Sequence, residues 1–254
     1  MKSQENLNLV KELYGVYPPV FNGNYRREFL EILSKEHYSG EYLAYIYYLD
    51  DKTPIIVTFQ RGKNGQPDEN GCSPASLLRL ILYGYMVNHD KNIKDRRVDK
   101  YLSQEDTEIY YYLKDKLKVG YGTGIIDLCR YLWDLFYLKK LKIVEYDQGY
   151  LTDNLIIVDD EDELHRKENR KELRKYGEME TRKRINLSYF YRLPGMHLIE
   201  TGEGPHWVST LPSYKNVIPD YENSIVVCDP QIGLVCFEEK NFIPEYSVFI
   251  KFGC

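Results

Sequence analysis

The chain has 254 residues, 43% of them hydrophobic and 29% charged, a balance that fits a folded globular protein with a sizeable core. Its formal net charge of −5 gives no basic footprint, so nucleic acid is not the expected partner. No apolar run approaches the length of a membrane span, and Met1-Lys2-Ser3-Gln4-Glu5-Asn6 lacks the apolar core of a signal peptide.

In chain order, Leu7, Val10 and Leu13 mark a short helical pattern, followed by an extended Tyr17-Pro18-Pro19-Val20 connector. Asn24 is placed to cap a second helix carrying Phe29, Leu30 and Ile32. Residues 41–49 fit either a helix or a strand. Asp50 to Pro54 reads as a turn and Ile55–Phe59 as a short strand. A polar loop from Gln66 to Cys72 then runs into a strongly apolar helix over about 74–88, with Ser73 as its expected N-cap and Pro74 in its first turn. Residues 89–104 are charged and loop-like. Glu105–Leu117 reads as a helix with Tyr110, Tyr111, Leu113 and Leu117 inward.

Gly120-Tyr121-Gly122-Thr123-Gly124 breaks the chain. It has no G-x-G-x-x-G pattern and follows no clear strand, so it reads as a connector and not as a nucleotide loop. A helix follows over about 124–140, then strand-like runs at 141–146 and 150–158. Residues 159–185 are charged and almost without apolar content, and read as an inserted solvated helix or mobile excursion, or alternatively as a docking arm for a partner. From 186 onward the pattern is short strands separated by turns: Leu187–Tyr191, Met196–Thr201, His206–Leu211, Ser224–Cys228, Leu234–Phe237 and Tyr246–Phe252. Helices early and an antiparallel sheet late make an α+β protein, read as one domain over 1–254 with 159–185 inserted in it.

The chemistry gathers at a few positions. Cys72 sits at a helix start, where the dipole and unpaired backbone N–H groups favour the nucleophilic thiolate. His206 opens an extended run, His206-Trp207-Val208, and is the expected general base. Asp229 ends an apolar strand, where a carboxylate can orient an imidazole. His197 is the rival base, though its place inside a strand suggests structure. His37, His89 and His165 lie in polar surroundings. Asp220 and Gln231 are the substitutes if the register is different. The five cysteines include no C-x-x-C, and those at 129, 228 and 236 fall in apolar runs, so a reducing compartment fits better than a disulfide scaffold. No ligand spacing for a metal is present, and no cofactor is expected.

A cysteine at a helix start, His206-Trp207-Val208 entering a strand, and Val226-Val227-Cys228-Asp229-Pro230-Gln231-Ile232-Gly233 together resemble the papain-like fold, nearest to papain-fold toxins and bacterial effector glutamine deamidases. The resemblance covers roughly residues 60–90 and 195–237. It implies that Gln66, six residues before Cys72, is an oxyanion-hole donor. It also implies a Cys72–His206–Asp229 triad acting on amide bonds of a protein or peptide, by proteolysis, deamidation or transglutamination. A third member that is Asp and not Asn, with no aromatic after Cys72, points to the toxin and effector branch and not to papain itself. On this reading the protein is cytoplasmic, or exported as an effector without a classical signal peptide. An inactive papain-like binding module, or an interaction protein contacting partners through its tyrosines and charged arm, stands as the alternative.

Overall fold

The computed structural model describes residues 44–48, 54–60, 68–88, 104–117, 122–137, 155–159, 166–181, 188–202, 204–212, 224–231, 233–238 and 242–250. The expected helices before residue 40, the run at 141–146, and Gln66, His37, His89, His165 and Asp220 lie outside them.

Residues 41–49, ambiguous in sequence, supply strand β1 (Ala44–Tyr48), which pairs antiparallel with β2 (Pro54–Thr58). Three helices follow: α1 (Cys72–Asn88), α2 (Gln104–Lys116) and α3 (Ile125–Tyr137). Then come β3 (Leu155–Asp159), α4 (Arg166–Leu173), β4 (Gly177–Thr181) and α5 (Ser188–Arg192). The chain closes with β5 (Gly195–Thr201), β6 (Gly204–Thr210), β7 (Ser224–Asp229), β8 (Gly233–Glu238) and β9 (Tyr246–Ile250). The α+β class holds.

Strands β3 to β9 form one seven-stranded sheet in the order β4-β3-β9-β5-β6-β7-β8. The sheet is mixed and not purely antiparallel as expected, because β3 and β4 run parallel. Parallel neighbours need a crossover, and α4 lies between them in sequence. The last strand, β9, inserts between β3 and β5 and pairs antiparallel with both. The run at 159–185 thus includes a helix and an edge strand, and two of its few apolar residues, Leu173 and Tyr176, are buried.

The strands bury both faces, so Leu155 to Asp159 are buried without alternation. One face, with Leu155, Ile157, Trp207 and Cys228, packs on α1, α2 and α3. The other, with Ile156, Val208, Val227 and Phe249, packs on Phe190 and Phe242. Phe190 belongs to α5, which corrects the strand expected at Leu187–Tyr191. A five-residue run carries too few periods to separate strand from helix. Here Leu193 N–H closes a helical turn on the Tyr189 carbonyl, and Pro194 then stops it.

Helix α1 is buried on every side over Leu77, Leu78, Leu80, Ile81 and Leu82, as an all-round apolar helix must be. It lies against β2, β6 and α2. Its one charged residue, Arg79, is fully buried. Arg79 Nε donates to the Ile56 carbonyl of β2 at 2.6 Å, and Nη1 donates to the Ser209 carbonyl of β6 at 2.7 Å.

Candidate active site

Helix α1 begins two residues earlier than the sequence suggests. Ala75 N–H donates to the Gly71 carbonyl, so Gly71 holds the cap position and Cys72 is the first helical residue. Ser73 is therefore not the N-cap, and its hydroxyl turns to Thr123 instead. Pro74 does fall in the first turn, where its missing N–H costs nothing. The Cys72 thiol is partly buried.

The loop leading to Cys72 is pinned from two sides. Tyr110 of α2 donates its hydroxyl to Asp68 at 2.9 Å, and Lys114 pairs with the same carboxylate at 2.6 Å. Burial first, and then the Asp68 charge, push the Tyr110 hydroxyl far above the ordinary tyrosine range, so it stays a donor. Gly71 passes so close to Tyr110 that a Cβ there would lie 2.1 Å from the hydroxyl oxygen. Only glycine fits.

Gln60, just past β2, links this loop to the far strand. Its carbonyl accepts from Asp68 N–H at 3.1 Å, and its own N–H donates to the Pro230 carbonyl at 2.9 Å. The approach to Cys72 and the turn after Asp229 are thereby tied to one residue. The Gln60 side-chain oxygen is buried with no hydrogen-bond partner among the described residues.

His206 lies on β6 and Asp229 ends β7. These strands pair only at Ser209–Cys228 and Thr210–Val227, and no further pairs form toward His206. A side-chain contact bridges them there: His206 Nε2 donates to Asp229 Oδ1 at 3.0 Å. The same oxygen accepts from Gln231 N–H at 2.7 Å, which fixes the carboxylate inside its own turn. Gly233, at φ 90°, closes that turn in a conformation that favours glycine. Gln231 therefore acts through its backbone.

Both His206 and Asp229 are buried. Burial alone disfavours charge on the imidazole. The Asp229 charge and hydrogen bond, followed by the hydrogen bond and charge of Cys72, outweigh it and push the His206 pKa up to about 10. Cys72 thus lies close enough to the ring to act on its charge, while Nε2 is committed to Asp229. Three of the four expected residues, Cys72, His206 and Asp229, come together from a helix start and two strand ends. The fourth, Gln66, lies outside the described residues.

His197 stands apart from this group. It is fully buried, with Nδ1 2.9 Å from Ser247 Oγ and Nε2 2.8 Å from Thr210 Oγ1. Phe190, Phe242 and Phe249 surround the ring. Burial, and then the Arg79 charge, push its pKa down to about 3. Both nitrogens are occupied, and the ring stays neutral.

The chain matches no family model, no curated protein and no solved structure. Among the described residues, no cluster of His, Cys, Asp or Glu is arranged to hold a metal ion. No described helix is long and apolar enough to cross a membrane.

Sequence reasoning missed Gln60, Arg79 and Thr123. Gln60 carried a weak signal, as a polar residue closing an apolar strand. Arg79 carried another, as a lone charge inside an apolar helix. Thr123 gave none beyond the glycines around it.

Proposed function

We propose that this protein is a papain-like thiol hydrolase that acts on an amide bond of a protein or peptide. The observation that supports this reading is His206 held by Asp229 at 3.0 Å from Nε2, with the Cys72 thiol near enough to help raise the imidazole pKa. A buried imidazole needs a reason to be held ready for charge, and an adjacent thiol gives it one.

In this mechanism the Cys72 sulfur attacks the amide carbonyl and His206 holds the thiol proton as imidazolium. The Cys72 backbone N–H, at the first helical position, and the Gln66 side chain donate to the oxyanion. Each such donor contributes about 3 kcal/mol to the transition state. His206 then protonates the leaving amine as the C–N bond breaks, leaving a Cys72 thioester. Water attacks the thioester with His206 as base, releasing the acid and restoring the thiol. The outcome is proteolysis for a backbone amide and deamidation for a glutamine side chain. An amine in place of water gives transglutamination. Asp229 keeps Nε2 protonated and Nδ1 directed at the sulfur throughout.

The test is iodoacetamide labelling of the native protein across pH, with sites read by mass spectrometry. Cys72 is expected to label rapidly and selectively at pH 6, and His206→Ala to slow it markedly. Labelling of Cys72 that ignores His206 and rises only near the ordinary thiol value of about 8.5 would leave a binding module with no thiol chemistry.

A further inference from the structure

Thr123 lies in the connector between α2 and α3, a stretch with no role in the mechanism above. Its neighbours Gly122 and Gly124 are exposed, and Gly122 adopts φ 89° with open space around it. Thr123 itself is buried, 6% exposed. Between these two exposed glycines the Thr123 side chain turns inward.

That residue touches both halves of the candidate site. Thr123 Oγ1 lies 2.6 Å from Ser73 Oγ, and the Thr123 carbonyl accepts from Trp207 Nε1 at 2.7 Å. Ser73 directly follows Cys72, and Trp207 directly follows His206. Ser76, one turn along α1, donates to the Trp207 carbonyl at 3.1 Å. All of these contacts are buried.

We infer that Thr123 is a positioning residue, which sets the approach of Cys72 to His206 by holding the residue after each. The inference rests on the hydrolase reading above. Residues next to the reacting pair are fixed through one hydroxyl and one carbonyl, so the side chain and the backbone of Thr123 act on different partners. Losing the hydroxyl removes one tether from the first turn of α1 while Trp207 stays held. A thiol displaced by about 1 Å loses roughly two orders of magnitude in a positioned reaction. A residue serving the core alone would leave the Cys72–His206 pair unchanged on removal of its hydroxyl.

The experiment uses the full chain and follows iodoacetamide labelling of Cys72 against pH, with a thermal melt of each variant. Thr123→Val keeps the shape and the carbonyl but drops the hydroxyl. It is expected to slow labelling at pH 6 on the order of tenfold and to move the profile toward that of His206→Ala. Thr123→Ser restores the hydroxyl and is expected to restore the wild-type profile. Ser73→Ala removes the same hydrogen bond from the helix side, and combining it with Thr123→Val is expected to add little. If Thr123→Val fails to fold, Ser73→Ala carries the same comparison. A lowered melting temperature with a wild-type labelling profile overturns the positioning role and leaves the hydrolase reading intact. A wild-type protein whose Cys72 labelling ignores His206 overturns both.

Discussion

Two buried histidines sit within one sheet and are held in opposite charge states, His206 by its Asp229 partner and His197 chiefly by burial. His206 has its pKa raised from 6.5 to about 10, and His197 has its own lowered to about 3. A raised value means that the folded chain holds the proton more tightly than the unfolded one. The stability this contributes is complete below pH 6.5 and is lost as pH climbs toward 10. For His197 the sign reverses: its contribution is complete above pH 6.5 and is lost as pH falls toward 3. Asp229→Asn removes the charge that favours imidazolium, so the His206 slope should flatten. The expected result is a wild-type urea midpoint that falls between pH 6 and pH 9.5. The variant starts lower at pH 6 and changes less over the same interval. A wild-type midpoint that rises over that interval would contradict the charge assigned to His206.

The elements carrying the candidate site are locked together by groups that belong to none of its chemistry. Arg79 is the plainest case, since its guanidinium reaches β2 and β6 at once from inside α1. Arg79→Met preserves much of the volume but withdraws both donors from buried carbonyls. Each buried acceptor left without its donor costs about 1–3 kcal/mol, so a loss of about 3 kcal/mol in urea unfolding is expected. Arg79→Lys should recover little, because an ammonium lacks the planar fork that spans two strands. This also marks what was legible in the sequence. Cys72, His206 and Asp229 stood out because each has a local signature: a polar loop entering an apolar helix, a histidine opening a strand, an aspartate before proline. The short strands after residue 195 stood out because hydrophobic runs alternate there with turn residues. Arg79 and Thr123 act across 130 and 50 residues of sequence, respectively, and nothing in their immediate neighbours records such contacts. The α5 residues read as a strand because five residues carry too few periods to separate strand from helix.

At the scale of the whole molecule, the charged run after β3 is the sharpest departure from its sequence. Composition alone casts it as a solvated helix or mobile excursion, since salt-bridged helices with few apolar residues rarely build a core. The fold instead uses its sparse apolar residues economically. Leu173, at the end of α4, is fully buried in the core shared with α1 and α3, and Tyr176 packs edge-on against Trp133 of α3. Arg170 of α4 pairs with the buried Asp159 at the end of β3 at 2.8 Å. Helix α4 is thus fastened through its last turn, and β4 extends the sheet beyond β3. Leu173→Ala separates the two readings. A buried leucine cut to alanine costs about 2–5 kcal/mol, whereas the same change on a solvated arm stays within about 0.5 kcal/mol. Lys171→Ala, exposed on the same helix, serves as the control and should be near neutral. Urea unfolding of both variants decides the matter. The expected outcome is a large loss for Leu173→Ala alone, with Cys72 labelling of the native protein unchanged. Near-neutral unfolding of Leu173→Ala would detach α4 and β4 from the core and return the segment to the role of a free arm.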